Sequence, residues 1–211
     1  MISIIGLNKQ FGSHLVLKDI YIDVPDNSIY GITGSNGAGK SSLFNILGGL
    51  LKSDSGNVYI NENEILSHNK NQSMQIGCVF EKPIYIEKLT GSEFLYFVGE
   101  MYNLPKSKIL NKIDELLEFF DLTEHKNKNI ESYSKGMKSK ISLATSLIHS
   151  PKYLFLDEPF DGIDNESIKK IIDLLIKISN NGSTVLISSH QDEYLAKMCN
   201  KILKLNNGIL A

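Results

Sequence analysis

The stretch Gly34-Ser35-Asn36-Gly37-Ala38-Gly39-Lys40-Ser41 decides the reading of this chain, because it fits G-x-x-x-x-G-K-[ST], the pattern of a phosphate-binding loop. Before it, Ser28-Ile29-Tyr30-Gly31-Ile32-Thr33 is apolar and β-prone enough for a buried strand. After it, Ser42-Leu43-Phe44-Asn45-Ile46-Leu47 has apolar residues at helical spacing. Strand, glycine-rich loop and helix, in that order, are the context that gives the pattern chemical meaning. A triphosphate concentrates negative charge, which backbone N–H groups turned inward at a helix N-terminus can meet. Gly34, Gly37 and Gly39 permit the backbone angles and close approach that this needs. Lys40 reaches the β- and γ-phosphates as a point charge, and the Ser41 hydroxyl can ligate Mg²⁺. Ser35, Asn36, Ala38 and Ser42 complete the residues expected to face the nucleotide. A glycine-rich turn that only caps a helix is the blander reading; the three glycines, the Lys-Ser pair and the flanks weigh against it.

Composition narrows the remaining classes. At 211 residues the chain has room for one large α/β domain, or a core with an inserted subdomain. With 42% hydrophobic and 22% charged residues it falls within the range of soluble globular proteins. A net charge of −2 and a pI near 6.2 make no electrostatic case for nucleic acid or an anionic membrane surface. All 22 basic residues are lysine. Without arginine there is no bidentate fork for guanine or phosphate, and no arginine finger from this chain. Cys78 and Cys199 lack metal-type spacing and read as unremarkable thiols in a reducing compartment. No run approaches the ~18 apolar residues of a membrane span. Met1 to Gly6 has no basic leader region or cleavage site, so it reads as a first strand. The expected location is the cytoplasm, unless a partner holds the protein at a membrane.

Outward from the loop, residues 1–30 alternate like an antiparallel layer: Ile2 to Leu7, Leu15 to Val24, then Ser28 onward, with a turn at Pro25-Asp26-Asn27. Gly56 to Ile60 adds a strand, followed by a polar loop near Asn61 to Gln72 and a short strand at Ile76 to Phe80. From about residue 90 to 150 the period becomes helical, with stripes at Phe94, Leu95, Phe97, Val98, Met101 and Tyr102, at Ile109 to Phe120, and at Ile141 to Ile148. These stripes read as packing faces, since their period is that of a buried helix side. After Pro151 the α/β pattern resumes: strand Tyr153 to Leu156, helix Ile168 to Ile178, strand Thr184 to Ile187, helix Glu193 to Cys199, and a final strand Lys201 to Leu205 before the Asn206-Asn207-Gly208 turn. The predicted fold is α/β, a P-loop NTPase core in residues 1–89 and 151–211 with an N-terminal antiparallel β subdomain. A helical subdomain is inserted over about 90–150. No regulatory C-terminal domain is expected, because the chain ends soon after its last strand.

A second set of residues completes the chemistry. Leu156-Asp157-Glu158 places two carboxylates at the C-terminal end of an apolar strand, the edge where open parallel sheets bind ligands. Asp157 suits Mg²⁺, and Glu158 can polarise a water for in-line attack on a γ-phosphate. The whole chain then resembles the ATP-binding subunit of ABC transporters. Gly34 to Ser41 matches Walker A, and Tyr153 to Glu158 matches Walker B with its glutamate. Phe160-Asp161-Gly162-Ile163-Asp164 is similar to the D-loop, and Ser188-Ser189-His190 to the switch histidine. Tyr133-Ser134-Lys135-Gly136-Met137-Lys138 lies where the Leu-Ser-Gly-Gly-Gln signature opens a helix. Phe11-Gly12 occupies the place of the aromatic that stacks on adenine, with Val16 beside it.

The resemblance implies ATP and Mg²⁺ as ligands, with Glu158, His190 and Lys40 catalytic and Ser41, Asp157 and Glu81 at the metal. It implies a head-to-tail pairing with a second ATP-binding subunit, identical or not, in which Ser134, Lys135 and Gly136 grip the γ-phosphate across the interface. It also implies a separate integral-membrane permease, which would hold this subunit peripherally at the cytoplasmic face. Two positions depart from the family pattern. Lys135 replaces a glycine of the signature, either adding charge near the phosphate or pointing to solvent, and Met137 replaces its glutamine. Glu81 replaces the usual Q-loop glutamine. Both features resemble the ABC-2 group and the branch that exports antibiotics or peptides, so the expected role is to power an exporter of drug, peptide or bacteriocin-like cargo. A soluble ABC-type ATPase acting on protein or nucleic-acid assemblies is the alternative. A second cassette or a long coiled coil would mark it, and neither is present. An unrelated P-loop kinase would have no use for the signature helix or His190.

Overall fold

In the computed structural model, which describes residues 1–61, 63–64 and 74–210, the chain opens with β1 (Ile2–Phe11) and β2 (His14–Val24) around a Gly12-Ser13 turn. They pair antiparallel from Ile2↔Val24 to Phe11↔His14, with register shifts near Leu7 and Lys9. Next come β3 (Ile29–Thr33), α1 (Lys40–Leu47), β4 (Ser55–Ile60), β5 (Asn63–Glu64) and β6 (Ile76–Val79). The helical stretch holds α2 (Gly91–Met101), α3 (Lys106–Phe119) and α4 (Lys135–Leu147). The rest is β7 (Tyr153–Leu156), α5 (Asn165–Asn180), β8 (Thr184–Ser188), α6 (Asp192–Met198), β9 (Lys201–Asn206) and β10 (Ile209–Leu210).

Two sheets result, one of order β2-β1-β4-β5 and one of order β10-β9-β3-β8-β7-β6. The first is antiparallel; in the second, β6 to β9 run parallel with β3 between β9 and β8. All four residues of β7 are buried, and they alternate between two cores. Tyr153 and Phe155 join Leu7, Leu17, Phe44 and Leu186 between the sheets, while Leu154 and Leu156 join Leu95, Ile141, Ile171 and Ile187 on the helical side. Burial on both faces is the usual environment of a parallel strand, and it explains an unbroken apolar run. α1 packs against both β2 and β7, so the end of the glycine-rich loop is anchored to both sheets.

Capping sets the helix starts. Thr90 and Glu93 form a reciprocal capping box at α2, and the Ser134 hydroxyl accepts the Met137 N–H at α4. At α5 the Asp164 carboxylate accepts the Ser167 N–H at 2.8 Å, which holds its pKa down at about 2. Among the described residues, no helix is long and apolar enough to cross a membrane.

Three expectations change. The strand after the Pro25-Asp26-Asn27 turn does not join the antiparallel layer; β3 crosses to the parallel sheet. Its reason is visible in Ile29, Gly31 and Ile32, which are buried on both faces and give no polar side to alternate with. β9 is not the last strand, because the Asn206-Asn207-Gly208 turn folds β10 back on it. The stripe on α2 is only half a packing face: Phe94 and Leu95 are buried, but Phe97 and Met101 are 42% and 63% exposed. The polar loop near Asn61 to Gln72 lies largely outside the described residues; within it, Asn63–Glu64 pairs with β4 as β5.

Candidate active site

The glycine-rich loop links the C-terminal end of β3 to α1, with its turn closed by the Ala38 N–H donating to Ser35 O at 3.1 Å. A Cβ on Gly39 would sit 2.8 Å from the Val16 carbonyl, so only glycine lets α1 begin so close to β2. The β9–β10 turn braces the loop, since the Gly208 N–H donates to Ala38 O at 3.1 Å. Ser35, Asn36 and Gly37 are exposed at the tip, while Ala38 and Lys40 are buried. Lys40 folds back over the loop, donating to Gly34 O at 2.8 Å and lying 3.6 Å from Glu158 Oε1. A buried ammonium seated on backbone carbonyls is poised for an anion that would draw it outward.

Asp157 and Glu158 follow β7, next to β8 and between the loop and His190. Asp157 is almost wholly buried. Its Oδ1 accepts the Ser188 hydroxyl at 2.5 Å, and its Oδ2 has no partner. Burial raises its pKa above the usual carboxylate value. The hydroxyls of Ser188 and Ser41 oppose that rise, and the charges of Glu81 and Glu158 add to it. Glu158 takes a left-handed φ of 46°, unfavourable for any residue with a Cβ, and its N–H donates to Ser188 Oγ at 2.9 Å. Its Oε2 meets His190 Nδ1 at 2.9 Å and accepts the His190 N–H at 3.2 Å. The Ser41 hydroxyl donates to Glu81 Oε2 at 2.7 Å, bringing the Q-loop position onto the first turn of α1.

A cleft of about 640 Å³ runs along these groups, walled by Gly34, Ser35, Asn36, Glu81, Glu158 and His190. A second depression of about 440 Å³ is lined by Phe11, Ser41, Ser42 and again Glu81. Glu81 is therefore a wall common to both. The other residues singled out lie elsewhere. Val16 lines neither depression, and both its carbonyl and its side chain lie beside Gly39 of the loop. Ser134 and Gly136 lie outside both: Ser134 caps α4, and a Cβ on Gly136 would come 2.4 Å from Gly162 O. Lys135 is an exposed side chain whose Nζ pairs with Asp161 at 2.7 Å.

Ser188 was missed by sequence reasoning, although it stands two residues before His190. Its one signal was a hydroxyl at the end of an apolar strand. Asp192 was also missed, where the Thr33 hydroxyl donates to its carboxylate beside the loop.

Ser41, Glu81 and Asp157 offer only hard oxygen donors, and the buried bare Oδ2 of Asp157 has the chemistry of a missing cation partner; the set fits Mg²⁺. Among the described residues, no three His, Cys, Asp or Glu side chains form a metal cage by themselves. That agrees with an ion completed by phosphate oxygens and water.

Comparison with known proteins gives concordant results. The profile of a family described as "ABC transporter" matches residues 17–161. The linearmycin resistance ATP-binding protein LnrL of Bacillus subtilis is 32% identical over 96% of this chain, which spans 65% of that protein. The methionine import ATP-binding protein MetN of Clostridioides difficile is 32% identical over 99% of this chain, which spans 66% of it. The chain thus covers just under two thirds of either relative. A solved structure described as the ATP-binding subunit of an ABC transporter superposes with a TM-score of 0.91 at 25% identity, covering 100% of this chain and 89% of that one.

Proposed function

The chain belongs to the ABC transporter family of ATP-binding proteins, and we propose that it binds and hydrolyses ATP to drive a separate membrane-spanning permease, in the direction of export. In this reading residues 1–211 act as one ATP-binding domain, core in 1–89 and 151–211, with the helical subdomain over about 90–150. The observation that carries the proposal is the set of contacts that links Lys40, Glu158 and His190, Asp157 and Ser188, and Ser41 and Glu81, beside two depressions that share Glu81.

That geometry supports the following residue roles. Lys40 and the loop N–H groups hold the phosphates, and Phe11 takes the base, with Ser42 at the phosphate nearest the ribose. Ser41 and Asp157, with Glu81, would hold Mg²⁺, which would supply positive charge against the phosphates. Glu158 accepts a proton from the attacking water as the water oxygen bonds to the γ-phosphorus. The bond from that phosphorus to the bridging oxygen breaks, ADP leaving with the electron pair. His190, already on Glu158 Oε2, holds that carboxylate in position. The strained backbone at Glu158 fixes the carboxylate's direction before substrate arrives. Ser134 and Gly136, at the N-terminus of α4 and away from this chain's own cleft, are available to a second subunit's nucleotide. Lys135 must leave Asp161 before it can join them.

An apolar hollow of about 620 Å³ bordered by Ile84, Ile86, Phe97 and Met101 is suited to a helix presented by a permease. Export is supported by the resemblance at Glu81 and at Tyr133 to Lys138, and by the name of the linearmycin resistance relative. A relative named for methionine import matches as well, so a transport assay with the isolated partner must decide direction.

The test is Glu158→Gln. The variant should lose hydrolysis by about a hundredfold or more, the usual worth of a general base. It should still bind ATP and should form an ATP-dependent dimer by light scattering. From detergent-solubilised membranes it should bring down a membrane-spanning partner in stoichiometric amount. Undiminished ATPase would remove Glu158 from its role, and soluble partners alone would replace transport with the non-transport reading.

A further inference from the structure

The end of β1 carries a cation against the Phe11 ring. Lys9 is buried, and its Nζ lies 5.3 Å from the ring centroid. Asp54, just before β4, holds that ammonium at 3.0 Å through Oδ1 and accepts the Gln10 N–H at 2.6 Å through Oδ2. The link is closed on the backbone as well, because the Asp54 N–H donates to Asn8 O at 3.0 Å. The Asp54 carboxyl is held below its ordinary pKa, first by the Gln10 N–H and then by Lys9. Three consecutive features of β1 are thus tied to one carboxylate: the Lys9 charge, the Gln10 amide and, through Lys9, the Phe11 ring.

Phe11 is half exposed and borders the depression that also holds Ser41 and Ser42, while Lys9 is absent from that lining. The ring, and not the ammonium, borders the depression. We propose that Lys9 and Asp54 are positioning residues for the base of the nucleotide, setting the Phe11 ring as a platform whose open face stacks a planar base. A cation is attracted to the face of an aromatic ring and fixes its orientation. A ring ordered in advance loses less freedom when a ligand stacks on it. The lysine's charge is spent on Asp54 and the ring, so its effect should belong to the base and not to the phosphates. The inference rests on the reading of Phe11 as the base platform.

The test compares binding of ATP with binding of inorganic tripolyphosphate, both with Mg²⁺, since only ATP has a base. Lys9→Met, which keeps the length of the side chain, and Asp54→Asn should each weaken ATP by about three- to tenfold. Tripolyphosphate affinity should stay unchanged. Phe11→Ala should show the same base-selective loss, and Lys9→Met added to it should cost nothing more. Lys9→Arg should restore most of the ATP affinity. Asp54 is largely exposed, so its variant keeps the test available if Lys9→Met fails to fold. Equal weakening of both ligands by Lys9→Met and Asp54→Asn would overturn the proposal. If Phe11→Ala changes the ratio and neither Lys9→Met nor Asp54→Asn does, the positioning inference alone fails. If Phe11→Ala leaves the ratio untouched, the platform reading fails and takes the inference with it.

Discussion

Asp157 is the residue where fold and chemistry conflict most. Its carboxylate is buried, one oxygen is bare, and two further carboxylates lie nearby. Burial raises its folded pKa above the usual 3.8, so the folded chain holds a proton to higher pH than the unfolded chain. Stability therefore falls as pH rises from about 4 through the raised folded value, and ionised Asp157 remains a net cost above it. Asp157→Asn removes that charge. In metal-free buffer at pH 8 it should stabilise the chain by roughly 1–2 kcal/mol in urea denaturation, with hydrolysis lost. The gain should shrink as pH falls towards 4, where the wild-type carboxyl takes up its proton. A gain that stayed constant or grew in acid would contradict this account. Ser188 belongs to the same scale: one hydroxyl serves Asp157 as donor and Glu158 as acceptor, so a strand-end serine sets the posture of both acids.

At the scale of elements, the presence of helices was more legible than their starts or their partners. The apolar period of α2 is plain in the sequence, and the Thr90–Glu93 box that starts it is a local pattern. Thr90→Ala should cost about 1 kcal/mol in thermal or urea unfolding, because the Glu93 N–H loses its acceptor. No change in stability would mean that tertiary packing alone sets the helix start. Which side of α2 meets the core was not legible, since Phe94 and Phe97 are the same residue type three positions apart. Phe94 is buried with its ring edge-on to Tyr85, while Phe97 is left exposed. β3 teaches the same lesson: its residues mark a strand, but the choice of sheet came from β8 and β9, far away in sequence.

On the scale of the whole molecule, the segment that follows β6 runs from the cleft at Glu81 to the apolar hollow. Glu81 touches Ser41 in the cleft, and Ile84 and Ile86 line the hollow a few residues later. Movement of that segment by a partner would bear directly on the Ser41 end of the phosphate loop. Phe97→Asp combined with Met101→Asp tests the hollow as a docking face. Both side chains are exposed, so unfolding free energy should move by no more than about 0.5 kcal/mol. Co-purification of the proposed membrane partner should be lost, and ATP binding by the isolated chain retained. Retained co-purification would place the docking face elsewhere.

Local order was enough to determine the phosphate loop, the paired acids after β7 and the identity of most helices and strands, because each depends on residues adjacent in the chain. The loop needs its glycines, lysine and serine in one run, and a buried strand declares itself by apolar residues alone. Tertiary structure decided what no local run encodes: Lys135 paired with Asp161, Ser41 with Glu81, and Val16 packed beside Gly39. It also left Phe97 and Met101 uncovered. Those outcomes depend on which distant groups arrive at the same place. A charge takes the nearest partner that arrives there, and an apolar face is buried only where another face meets it.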